Sequence, residues 1–110
     1  MLEETTIIKS KAIFSDDKEH RLLLRKEWNN EKPSAMVIMI NPHTADTVNF
    51  DMTTMLVINN LHKLGFGSVN IVNLYSRIME KLNLRFNGDD ELIDDDSDAV
   101  IEQYAAMSDA

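Results

Sequence analysis

Two short polar segments concentrate the side chains able to do chemistry. Asn41-Pro42-His43-Thr44-Ala45-Asp46 offers an amide, an imidazole, a hydroxyl and a carboxylate, and Asn73-Leu74-Tyr75-Ser76-Arg77 adds a second amide, a phenol, a hydroxyl and a guanidinium. This mixture can orient an activated water or hold a small polar ligand. In such a site Asn41 would orient water or ligand and Asp46 would accept a proton or a hydrogen bond. Pro42, His43, Thr44, Asp51, Asn73, Tyr75 and Arg77 are the candidate ligand-binding residues around them. The same residue types also have plainer uses. Asn and Asp form turns by bonding their own backbone, Asp51 and Thr53 suit a helix start, a lone His packs or faces solvent, and Arg77 could be solvated.

Both segments follow apolar runs, which gives them a place in a fold. Residues 34–40 form a continuous apolar run bounded by turn signals, the pattern of a central strand buried on both faces, and it stops at Asn41-Pro42. Asp51, Thr53 and Thr54 offer helix caps, with Val57, Ile58, Leu61 and Leu64 on one face and Gly65 at the C′ position. Residues 68–75 are rich in β-branched side chains and read as a second strand. Strand, helix and strand in this order make a βαβ unit, which implies parallel pairing. Ligands of open α/β sheets bind beyond the carboxyl ends of the strands, where both polar segments fall.

The flanks are less regular. Residues 5–14 and 20–28 surround the polar Ser15-Asp16-Asp17-Lys18 and suggest an antiparallel hairpin. Leu22-Leu23-Leu24 fits neither a period of two nor one of 3.6, and would also suit a short helix. Residues 76–84 are ambiguous, and Asn87-Gly88-Asp89-Asp90 reads as a turn. Beyond them Val100, Ile101, Tyr104 and Met107 recur at helical spacing, with Asp94, Asp95, Asp96 and Asp98 near the start of that helix.

Composition narrows the function classes. The chain has 110 residues, 11 Lys plus Arg, 19 Asp plus Glu, 44% apolar side chains and no Cys, as suits a single α/β domain spanning residues 1–110. Cysteine-based catalysis, disulfides and thiolate metal sites are excluded. His20, His43 and His62 show no paired-ligand spacing, the acidic run 94–98 lacks the glycine and terminal glutamate of an EF-hand loop, and no metal or other cofactor is implied. All 11 basic residues and 10 acids lie in 1–88, whereas residues 89–110 hold the other nine acids and no base. That acidic C-terminal segment disfavours binding of nucleic acid by this chain alone. With no membrane-length apolar run and an acidic N-terminus, a cytoplasmic location without membrane association is expected.

At Met39-Ile40-Asn41-Pro42-His43-Thr44-Ala45-Asp46 the sequence resembles domain-of-unknown-function family 1643, a bacterial and phage family with a Leu-Asn-Pro-Ser-Thr-Ala-Asp signature. Asp51-Met52-Thr53 is similar to the family's Asp-Pro-Thr. Gly65-Phe66-Gly67 and Val72-Asn73-Leu74-Tyr75 are similar to its Gly-Tyr-Gly and Val-Asn-Leu-Phe, and Asp98 fits the acidic residue opening its later helix. The resemblance spans about residues 20–107 and carries over no activity. His43 departs from the family's Ser. Family members continue into another strand and a His-Pro segment, so the resemblance implies a C-terminally shortened member. Ile40-Asn41-Pro42 is also loosely similar to the water-activating motif of mismatch-type uracil-DNA glycosylases, in which Asn41 would hold the attacking water.

These readings converge on an α/β domain with a layered, mostly parallel sheet, an N-terminal antiparallel hairpin and a sheet incomplete at its C-terminal side. The leading function is a nucleobase- or nucleotide-type ligand pocket at the strand ends. The alternative is a catalytically incompetent interaction or regulatory module, acting through its acidic tail or as a homo-oligomer completing its sheet. A uracil-DNA-glycosylase-like hydrolase ranks last.

Overall fold

A computed structural model describes residues 1–43, 45–79 and 93–110. The expected turn at residues 87–90 and the ambiguous stretch after Met79 lie outside the described residues. The hairpin forms as β1 (Lys9–Phe14) and β2 (Arg21–Glu27), paired antiparallel. The βαβ unit follows as β3 (Ser34–Met39), α1 (Met52–Lys63) and β4 (Ser68–Asn73), and α2 (Ser97–Met107) closes the order. No helix among the described residues is long and apolar enough to cross a membrane.

The four strands form one sheet in the order β1-β2-β4-β3. Only β3 and β4 are parallel; β1 with β2 and β2 with β4 are antiparallel. The architecture is therefore α/β, as expected, but the sheet is mostly antiparallel rather than mostly parallel. The crossover through α1 fixes only the β3–β4 pair. Strand periodicity does not reveal which neighbour lies on the other side of β4, and the hairpin takes that place.

A second correction concerns which strand is central. β3 lies at the sheet edge and leaves Ile38 56% exposed, whereas every residue of β4 is buried. The apolar run of β3 looked like a core strand, while the asparagines of β4 disguised one. Asn70 is tolerated in the interior because Arg25 Nη1 donates to its Oδ1 at 2.7 Å and its Nδ2 donates to Ser108 Oγ at 2.8 Å.

Side-chain alternation divides the core between the two sheet faces. Leu24, Ala45, Val69 and Ile71 pack with Val57, Ile58 and Leu61 of α1, and Leu23, Val72 and Tyr104 pack with Val100 and Ile101 of α2. Helix α1 starts at Asp51, whose side chain accepts from the Thr54 N–H, and ends before Gly65 at φ 94. Leu64, assigned by its spacing to the apolar face, is exposed. Gly67 admits no side chain, because a Cβ there would lie 1.9 Å from the Asn29 carbonyl oxygen.

After α2 the chain runs along the outer edge of β3. The Met36 N–H donates to the Ala110 carbonyl at 2.7 Å, and the Ala110 N–H donates to that of Ser34 at 3.1 Å. These two bonds are those of a parallel bridge between Ala35 and Ala110.

Candidate functional site

Between β3 and α1 the chain must cross from the end of a strand to the start of a helix, and residues 40–51 form that crossing. Its first part stays attached to the segment beyond β4. The Leu74 N–H donates to Met39 O and the Tyr75 N–H to Ile40 O, both at 2.8 Å, and the Met79 N–H donates to Pro42 O at 3.1 Å. The Asn41 side chain adds a bond from Nδ2 to Met79 O at 2.9 Å. Main-chain bonds thus tie the end of β3 to the second polar segment, and Pro42 of the first to Met79 just beyond the second.

Two cations from β2 hold the second part. Arg21 Nη1 donates to the Ala45 carbonyl at 2.8 Å, and Lys26 Nζ donates to the carbonyls of Asp46 and Thr47 at 2.9 and 3.0 Å. Lys26 also donates to Ser10 Oγ and sits 4.0 Å above the Phe50 ring centroid. Both cations are almost fully buried, and burial pushes both pKa values down from their ordinary range. Asp51 opposes this at Arg21, and Asp46 opposes it at Lys26.

Arg21 reaches this side of the sheet because of a β-bulge. Ile13 pairs with Leu23, but the next residue, Phe14, pairs with Arg21, so that Leu22 is the extra residue. Without the bulge, alternation would send Arg21 to the α2 face with Leu23; with it, Arg21 joins Phe14 and Leu24 on the α1 face. Arg21 is 1% exposed, and its Nε has no hydrogen-bond partner among the described residues.

A cleft of about 270 Å³ opens where these elements meet, lined by Arg21, Met39, Ile40, Asn41, His43, Asp51 and Thr53. Asp51 is bound into the start of α1 through its Oδ1, 2.7 Å from the Thr54 N–H, and Thr53 is exposed in the first turn. The lining thus combines two apolar side chains, an amide, an imidazole, a carboxylate, a hydroxyl and a buried guanidinium. Three of the residues singled out in the sequence, Asn41, His43 and Asp51, come together here.

The others lie elsewhere. Asp46 lines an adjoining depression with His43, Phe14 and Lys18. Its Oδ1 accepts from the Val48 and Asn49 N–H groups at 2.8 Å, and its Oδ2 accepts from Asn49 Nδ2 at 3.1 Å. Those bonds, led by that from Asn49, hold its carboxyl below the usual range, which makes it a weak base and a strong turn former. Pro42 is buried. Tyr75 is half-buried, and Arg77 lies 3.5 Å from Glu19 in an ion pair. Thr44 lies outside the described residues.

Asn73 is 2% exposed, and neither polar atom of its amide has a partner among the described residues. It pairs in register with Met39, which lines the cleft, and alternates with Val69 and Ile71 on the α1 face. Among the described residues no three of His, Asp or Glu gather as a metal-binding group.

Sequence reasoning missed Arg21 and read Thr53 chiefly as a cap. The signal for Arg21 was present in Leu22-Leu23-Leu24, whose broken period is that of a strand carrying a bulge.

Fold and site together define an α/β domain with a cleft at the carboxyl end of its parallel strand pair. Residues 21–110 match the family described as "Protein of unknown function (DUF1643)", and the chain belongs to that family. No curated protein and no solved structure matches the chain.

Proposed function

We propose that this domain binds a small nucleobase- or nucleotide-type ligand in the cleft between β3, β2 and the start of α1. The observation that carries the reading is the convergence of Asn41, His43 and Asp51 with buried Arg21 around one cleft at the strand ends. Its apolar lining residues Met39 and Ile40 suit the face of a planar ring, and the amide, imidazole and carboxylate beside them suit the hydrogen-bonding edge. Asn41 is the orienting residue, and Asp46 shapes the neighbouring wall. Uracil excision has less support, because Asn41 Nδ2 is committed to the Met79 carbonyl.

The test is a titration of the protein with nucleobases, nucleosides and nucleotides, followed by backbone amide shifts in NMR. Saturable shifts at Asn41, His43 and Asp51, with at least a tenfold affinity loss in Asn41→Ala, support the reading. Shifts confined to other regions, or an Asn41→Ala variant that binds as tightly as wild type, overturn it.

A second reading, as an interaction module or homo-oligomer that extends its sheet, is favoured by the position of β3. Beyond the Ala110 bridge at Ala35 it is an edge strand, with Ile38 and Ile40 more than half exposed. Light scattering on a size-exclusion column discriminates: a concentration-independent monomer rules out pairing between copies.

A further inference from the structure

We infer that the cleft contains an oxyanion subsite, in which Arg21 and the first turn of α1 receive the phosphate of a nucleotide-type ligand. The inference rests on the ligand-binding reading above and adds the chemical group that the cleft selects.

Three observations support it. Arg21 lines the cleft, is almost entirely buried, and makes its hydrogen bond among the described residues from Nη1 to a neutral carbonyl; no carboxylate lies within ion-pair distance of it there. Its Nε is buried with no partner among the described residues. A buried guanidinium bound only to a carbonyl is costly, whereas the same group facing an oxyanion gains strong charge-assisted bonds from a geometry that suits phosphate.

The second observation is the helix. Thr53 stands in the first turn of α1 and lines the same cleft, so the positive end of a 12-residue helix adjoins the space that Arg21 borders. The third is the bulge at Leu22, without which Arg21 would lie on the other face of the sheet. Bulges recur where a strand must re-aim one side chain.

Asp51 is the opposing group. Its carboxylate acts favourably on Arg21 and would repel an incoming anion, while its Oδ1 caps the helix. Asparagine at this position keeps the cap and removes the charge. Asp51→Asn is therefore expected to tighten anion binding, the opposite of what loss of a ligand contact would do.

The experiment titrates the full chain at pH 7 with inorganic phosphate, with acetate, and with matched pairs of nucleoside and nucleoside 5′-monophosphate, read by calorimetry and amide shifts. Saturable phosphate binding is expected, with acetate weaker and each monophosphate at least tenfold tighter than its nucleoside. Arg21→Met should abolish phosphate binding and the tenfold preference while nucleoside binding persists. Circular dichroism reports whether that variant folds. Thr53→Val, at an exposed position, gives an independent severalfold loss, and Asp51→Asn gives a gain.

No saturable phosphate binding, or wild-type affinity in folded Arg21→Met, overturns the inference. Acetate binding more tightly than phosphate would reassign the subsite to carboxylates and overturns the phosphate assignment. Failure of the underlying reading looks different: Arg21-dependent phosphate binding with no gain from any attached nucleoside keeps the subsite and removes the nucleobase. Nucleosides binding as tightly as their monophosphates keeps the nucleobase and removes the subsite.

Discussion

The guanidinium of Arg21 donates from Nη1 to the carbonyl of Ala45 at 2.8 Å, joining the bulged end of β2 to the middle of the segment that frames the cleft. Both residues are almost fully buried, so the bond forms away from bulk water. The bond and the charge act in opposite directions on stability. Removing both in Arg21→Met loses one charge-assisted bond but also relieves the burial of a cation that has no ion-pair partner among the described residues. The expected change in unfolding free energy is within about 1 kcal/mol of zero, against the roughly 3–5 kcal/mol expected for breaking a buried structural ion pair. Denaturant unfolding measures it, and hydrogen exchange should show faster exchange of amides 45–49 while β4 stays protected.

Asp51 has two roles that substitution separates. Its Oδ1 accepts from the Thr54 N–H, so Asp51→Ala removes the cap of α1 and is expected to cost about 1 kcal/mol. For a domain of this size that lowers Tm by roughly 4–8 °C. Asp51→Asn preserves the acceptor and should remain close to wild type in the same thermal scan. Equal losses in both variants would mean that the carboxylate charge, rather than the cap, stabilises the helix start.

Much of this arrangement was readable from residue order, and the unreadable part has a physical cause. The capping of α1 by Asp51, the glycine at its end and the β3–α1–β4 crossover all depend on local signals, which a sequence carries directly. Strand neighbours depend on contacts distant in sequence. Nothing in residues 34–40 distinguishes an apolar edge strand from a central one, and nothing in Asn70 announces Arg25 and Ser108 as its partners. The candidate site divides in the same way. Asn41, His43 and Asp51 lie close together in the chain, whereas Arg21 reaches them across the sheet through an irregularity in β2 that three consecutive leucines signalled without explaining.

Asp46 provides a pH-dependent prediction. Its carboxyl titrates below the ordinary value of 3.8 in the folded protein because the Asn49 and Val48 N–H groups, and the Asn49 amide, bond its charged form. A carboxylate with a depressed folded pKa contributes stability that is complete above the unfolded value and is lost as pH falls through the folded one. Wild type should therefore lose more stability than Asp46→Asn as pH drops from about 5 to below the unfolded carboxylate value near 3.9. The difference between the two should be flat from pH 5 to 7. A gap that instead widened near neutrality would show a carboxyl with a raised pKa, as a general base requires, and would contradict the turn-forming geometry.

The exchange of central and edge roles between β4 and β3 can be tested by truncating one isoleucine in each. Ile71 is fully buried in the α1-side cluster against Leu24 and Val69, and Ile38 is 56% exposed on the outermost strand. Ile71→Ala removes buried methyl groups from a packed site and leaves a cavity, and is expected to cost about 3–4 kcal/mol. Ile38→Ala exposes little that was covered and should stay within about 0.5 kcal/mol of wild type. The two measurements together decide between the sheet orders. If 34–40 were the doubly buried strand that its composition suggests, Ile38→Ala would cost at least 2 kcal/mol by the same cavity argument. A small effect at Ile38 combined with a large one at Ile71 requires β4, asparagines included, to be the strand around which both helices pack.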